Sequence, residues 1–200
     1  TNHQSFVLWR TPVDHELING LLRPKTIAVI GASAKPGKIG YTVIDNLIRD
    51  GFKGKIYPIN PEADEILGLK VYRNIGDVPG EVDAAVMTIP AKIVAQELIE
   101  CGKKKVKGII LITSGFSEVG RKDMEDELVA IARQYGMRIL GPNIVGTLSN
   151  SDHLNASFAP CLPLPGKVSL ASQSGALLIA LDASTYVRRV GFDKLISNGN

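Results

Sequence analysis

The stretch TIAVIGASAKPGKIG, Thr26 to Gly40, constrains this chain more than any other. Thr26 to Ile30 is a short apolar, β-branched run of the kind that forms a strand buried on both faces. Gly31 ends the run. The next nine residues include Gly37, Gly40, one serine, one proline and two lysines before a helical pattern sets in at Tyr41. A strand, a glycine-rich turn and a helix in this order leave backbone N–H groups and the positive end of a helix dipole beside a loop without bulky side chains. Lys35 and Lys38 add mobile positive charge at the same mouth. The first expectation is a ligand bearing phosphates, with contacts along Gly31, Ser33, Ala34, Lys35, Pro36, Gly37, Lys38 and Gly40.

Neither common phosphate motif fits. A dinucleotide fingerprint needs G-x-G-x-x-G and an acidic residue about 20 positions on. Here the glycines read G-x-x-x-x-x-G-x-x-G, and the second strand, Lys55 to Ile59, ends in Asn60-Pro61 with Glu62 one step too late. A phosphate loop of the G-K-[ST] type is excluded because Ile39 follows Gly37-Lys38.

Apolar runs at Ala84–Thr88, Gly108–Ile112 and Met137–Leu140 alternate with helical stripes after Tyr41, Pro90 and Met124. That alternation predicts right-handed βαβ units and a doubly wound parallel sheet, whose ligands bind beyond the carboxyl ends of the strands. The residues placed there are Ser33 to Lys38, Asn60-Pro61, Ile89-Pro90, Thr113-Ser114-Gly115-Phe116 and Gly141-Pro142-Asn143. These loops are poor in large charged groups, so the groove should be neutral with one cationic end. A helix from Glu16 to Arg23 precedes the first strand, and residues 1–16 read as an arm.

From Ser149 to Gly166 the chain carries three prolines and reads as a strand-poor linker. A second strand, turn and helix follow at Lys167–Ala171, Ser172 to Gly175 and Leu177 to Val187, and another strand begins at Phe192. Ser172 or Ser174 can cap that helix, whose first N–H groups, with Gly175, would suit an anion. A serine nucleophile is the weaker reading, since G-x-S-x-G would need glycine where Ser172 stands.

A net charge of +3 does not suggest a nucleic-acid surface, and Lys103-Lys104-Lys105 with Lys107 reads as a solvated turn. Cys101 and Cys161 lack a C-x-x-C partner, and His3, His15 and His153 have neither metal-ligand nor triad spacing, so no metal site is expected. No apolar run is long enough to cross a bilayer, and a reducing cytoplasm is the default.

Six segments in order, LLRPKTIAVIGASAKPGKIG, YPINP, TIPA, ITSGF, ILGPNIVG and GKVSLASQSGAL, resemble the α-subunit type of NDP-forming acyl-CoA synthetases, the superfamily that includes succinyl-CoA synthetase. The resemblance runs from about Leu17 to Asn200. It implies a Rossmann-like domain binding coenzyme A over residues 17–148, a linker over 149–166, and the start of an incomplete flavodoxin-like α/β domain over 167–200. It further implies that Ser33, Ala34, Lys35 and Pro36 line the CoA phosphates, that Ile89-Pro90-Ala91 lies near the adenine or pantetheine, and that Asn143 lies towards the thiol. Ser174-Gly175 would then belong to the anion site that cradles a phosphorylated histidine. The full enzyme would use ATP and Mg with an ATP-grasp domain or β subunit, carry its phosphohistidine beyond Asn200, and form an oligomer. Two positions depart from succinyl-CoA synthetases: no lysine follows Asn60-Pro61, and Ile179 replaces a tyrosine. They point to an acid more apolar than succinate. The rival readings are a CoA-binding regulatory part of a protein acetyltransferase and an NAD(P)-binding oxidoreductase domain.

Overall fold

The computed structural model describes residues 15–199. The arm read over the first residues, with His3, lies outside the described residues except at the start of helix α1 (His15–Leu22). The expected alternation follows: β1 (Thr26–Ile30), α2 (Ile39–Arg49), β2 (Lys55–Ile59), a small hairpin of β3 (Glu65–Ile66) and β4 (Leu69–Lys70), β5 (Ala84–Met87), α3 (Ala91–Lys103), β6 (Gly108–Leu111), α4 (Lys122–Tyr135) and β7 (Arg138–Leu140). The five main strands form one parallel sheet in the order β2-β1-β5-β6-β7.

Alternate residues of the central strands explain both layers. Ala28, Ile30, Ala85, Met87, Ile109 and Leu111 face α3 and α4 through Val94, Leu98, Leu128 and Ile131. Ile27, Val29, Ala84, Val86 and Ile110 face the other way, towards Val43, Ile44 and Leu47 of α2. Strands buried on both faces need no polar alternation, which is why they stand out as solid apolar runs.

The chain departs from expectation after Leu140. Residues 149–166 are not strand-poor: β8 (Gly146–Ser149) and β9 (Leu154–Ser157) make an antiparallel hairpin, and Leu154 and Ala156 sit in the core beside α2. The strand hides in the sequence because LNAS is only four residues long and fills its polar positions with Asn and Ser, which are poor strand formers. Both are fully buried and paired: Asn155 donates to Asp50 at 2.7 Å, and Ser157 donates to Asn155 at 2.5 Å and accepts from the Ala159 N–H at 3.0 Å. Asn46 of α2 seals the contact by donating to the Ser157 and Ala159 carbonyls, each at 2.8 Å.

The hairpin also belongs to a second, mixed sheet of order β10-β11-β8-β9, with β10 (Pro165–Ser172) parallel to β11 (Phe192–Ser197). Between them runs α5 (Gly175–Arg188), so the expected strand, turn, helix and strand are all present. Leu178, Phe192, Leu195, Leu148 and Val145 make its core. Among the described residues no helix is long and apolar enough to cross a membrane, and no cluster of His, Cys, Asp and Glu could hold a metal ion.

Candidate functional site

The loops at the carboxyl edge of the parallel sheet are joined to one another by short polar bonds. At the first loop the chain leaves β1 through Gly31, whose φ of +92° favours glycine. A Cβ on Gly31 would come within 2.7 Å of Thr88 Oγ1, and one on Gly40 within 2.0 Å of the Gly31 carbonyl oxygen. Both positions therefore let the first turn of α2 lie directly against the end of β1. Gly37 also has positive φ, with open space around it.

Lys38 is the N-cap of α2 and supplies no side-chain acceptor to the helix N–H groups. An uncapped helix start carries about half a positive charge and unmet donors, the chemistry that attracts a phosphate. Ala34, Lys35, Pro36, Gly37 and Lys38 are all exposed, while Ser33 is half-buried and accepts the Lys35 N–H at 3.1 Å. Neither Lys35 nor Lys38 is in an ion pair among the described residues, so the cationic end expected of the groove is present.

The Asn60 side chain makes hydrogen bonds within the protein. Its amide donates to the Ala32 carbonyl at 2.8 Å, and its oxygen accepts from Glu62 N at 2.8 Å and Ala63 N at 3.0 Å. The amide end ties the first loop to the second and the oxygen braces the second loop itself, with Pro61 exposed beside them. Thr88, which the motif reading did not single out, donates to the Gly31 carbonyl at 3.1 Å. Ile89 is buried, Ala91 half-buried, and Pro90 is the exposed N-cap of α3, which again has no side-chain cap. Thr113 donates to the Ile89 carbonyl at 2.7 Å and accepts the Asn143 N–H on its own carbonyl at 2.9 Å. The rim is thus continuous from the first loop to the fifth.

The Gly115 N–H donates to the Glu118 carboxylate, and Phe116 N donates to the same group at 3.2 Å. Glu118 thereby takes up donors that the Thr113-Ser114-Gly115 turn would otherwise direct outwards. Its signal in the sequence is faint, an acid three residues past a glycine. Asn143 follows the cis Gly141–Pro142 bond at φ 59° and is exposed.

Opposite this rim stands the start of α5. Ser174 is its N-cap and accepts the Leu177 N–H at 3.2 Å, while Ser172 accepts the Ser174 N–H at 3.1 Å. A Cβ on Gly175 would meet Val145 Cγ2 at 2.6 Å. Between rim and helix lies a cavity of about 450 Å³, bounded by Ile39, Ser114, Asn143, Phe158, Gln173 and Ile179 among others. The structure therefore brings Asn143, Ser114 and Gly175 to one space. The apolar contributions of Ile39, Phe158 and Ile179 were legible only for Ile179.

The comparisons with known proteins follow this geometry. A family model described as a CoA binding domain matches residues 25–149. The chain is 51% identical over 189 residues to the acetate–CoA ligase [ADP-forming] I subunit alpha of Pyrococcus furiosus, covering 92% of this chain and 41% of that one. It is 42% identical over 184 residues to the 4-hydroxybutyrate–CoA ligase [ADP-forming] of Nitrosopumilus maritimus, covering 90% of this chain and 26% of that one. Among solved structures it superposes with a TM-score of 0.89 and 50% identity on the dinucleotide-forming acetyl-coenzyme A synthetase 1 of Ca. Korarchaeum cryptofilum in complex with phosphate and ADP, covering 91% of this chain and 39% of that one. The chain thus spans about two fifths or less of the relatives it matches.

Proposed function

Since the chain belongs to the CoA binding domain family, we propose that it is the CoA-holding part of an ADP-forming acyl-CoA synthetase, the class of ligase to which its relatives are assigned by name. The observation that carries this reading is the uncapped start of α2 beside two unpaired lysines, closed against β1 by Gly31 and Gly40. The CoA diphosphate lies along Ser33 to Lys38, with backbone N–H groups donating and Lys35 and Lys38 neutralising charge. The adenosine and pantetheine follow the rim over Ile89-Pro90-Ala91, and the thiol reaches the cavity at Asn143 and Ser114.

The chemistry of the whole enzyme joins an acid to CoA at the expense of a nucleoside triphosphate. In the step this chain serves, the CoA thiol attacks the carbonyl of an acyl phosphate, the C–S bond forms as the S–H and the C–O bond to phosphate break, and phosphate leaves with the proton. The contribution of these residues is positioning: a thiol held in line with its electrophile gains more from orientation than a nearby base could supply. Phosphate leaves towards the start of α5, where Ser174, Gly175 and the helix dipole receive negative charge. We assign residues 17–148 to CoA binding and the unit from 167 to that anion. ATP, Mg and an ATP-grasp domain or β subunit complete the enzyme, in the cytoplasm. An acid more apolar than succinate suits Ile179 beside Ile39 and Phe158.

Calorimetric titration with CoA, with NAD in parallel, tests the reading. Saturable CoA binding that weakens about tenfold in Lys35→Ala, the loss of one charge-assisted phosphate contact, is the expected result. Binding of NAD without CoA would contradict it.

A further inference from the structure

A further cavity lies at the other edge of the parallel sheet, where the strands begin. It has a volume of about 710 Å³ and is lined by Arg23 and Lys25 ahead of β1, Phe52 and Lys53 ahead of β2, Lys55 in β2, and the β8–β9 turn with Asp152. Four cationic side chains thus face one space with one carboxylate. That carboxylate is already shared, since Asp152 lies 3.4 Å from the Lys194 ammonium and 3.7 Å from Arg23. Lys25, Lys53 and Lys55 have no ion pair among the described residues. Gly54 draws the chain tight here, because a Cβ on it would fall 2.3 Å from the Lys25 carbonyl oxygen and 2.5 Å from the Phe52 ring. The lysines are therefore held around the cavity by backbone that cannot spread apart without losing the Lys55 N–H bond to Lys25 O at 2.9 Å.

A helix end favours a nearby cation, and the end of α2 already has Arg49 in its last turn. Three further exposed ammonium groups without a carboxylate leave this space positively charged, a charge that an anion can meet. We propose that this cavity is a second anion site, distinct from the carboxyl-edge rim, that takes a linear di- or triphosphate, either free or carried by a nucleoside whose base lies on Phe52. Four cations match the charge of such a group better than that of a single carboxylate. The half-buried Phe52 ring supplies an aromatic wall on which a base can stack.

The test is a titration of the 200-residue chain followed through its backbone amide and aromatic NMR signals, with tripolyphosphate as the first probe and ADP as the second. Saturable shifts at Gly54 and Ser151 are expected, with an apparent Kd about tenfold weaker in the Lys53→Gln/Lys55→Gln pair, weaker at higher salt, and unchanged in Lys35→Ala. Arg23→Gln, on another element, gives an independent and smaller loss. Phe52 ring shifts with ADP identify a nucleotide as the carrier. Equal shifts for the two probes with a still ring identify the free polyphosphate. Shifts confined to Ser33–Gly40 or to the start of α5, or shifts at Gly54 that survive unchanged in the double variant, would overturn the proposal. Because the signals separate the two edges, the result does not depend on whether CoA binds at the first loop.

Discussion

Replacing Asp182 by asparagine should stabilise the protein at alkaline pH and do almost nothing near pH 4. Asp182 is fully buried on the inner side of α5. One carboxylate oxygen accepts a weak bond from the Cys161 thiol at 3.7 Å, and the other has no hydrogen-bond partner. Burial pushes its pKa from the usual 3.8 up to about 6. The folded state therefore holds a proton that the unfolded chain releases between those values. The resulting stability is complete below about pH 3.8 and is lost as pH rises through 6. At 1.36 kcal/mol per pKa unit, a shift of about two units amounts to about 3 kcal/mol forgone at pH 8. The amide of Asp182→Asn is neutral throughout but keeps one polar atom without a partner, so a net gain of about 1–3 kcal/mol is expected near pH 8. Urea unfolding of both proteins near pH 4 and near pH 8 measures it. Equal differences at the two pH values, or a variant less stable at pH 8, would refute the assignment of an uncompensated buried charge.

Three other substitutions probe the frame around the site. Gly40→Ala drives a methyl into the Gly31 carbonyl; a stability loss of at least about 2 kcal/mol and loss of CoA binding are expected from denaturation and calorimetry. Asn46→Ala leaves the Ser157 and Ala159 carbonyls without their donor, which should cost about 2–3 kcal/mol in a urea titration. The Cys101 thiol is fully buried and pushed far up by that burial, so an alkylating reagent should modify Cys161 in the folded protein and Cys101 only after unfolding, as mass spectrometry of quenched samples would show.

The parallel sheet was legible because each central strand is buried on both faces and so reads as an unbroken apolar run between helical stripes. The glycine-rich loop was legible for a related reason: Gly31 and Gly40 mark a close approach that no other residue permits. What stayed hidden rests on polar side chains that pair only in three dimensions. Leu154–Ser157 looks like a linker because Asn155 and Ser157 find their partners in Asp50 and in each other. The turn that Asn60 makes with Glu62 and Ala63 is local, but its bond to the Ala32 carbonyl spans 28 residues and has no local signal. Thr88 and Thr113 join loops 57 and 24 residues apart in the chain, a separation that no local pattern encodes. The cavity at the amino edge was invisible for the same reason, because Arg23, Lys53 and Asp152 are brought together only by the sheet and the β8–β9 hairpin.

In the proposed function the diphosphate of CoA sits on the uncapped start of α2. A crystal structure of this chain with CoA tests it most directly. Phosphate oxygens are expected within hydrogen-bonding distance of backbone N–H groups between Ser33 and Gly40, with Lys35 or Lys38 on the diphosphate and the thiol near Asn143. A diphosphate bound instead against Lys53 and Lys55, or a pantetheine running away from the Ile89–Ala91 rim, would contradict it.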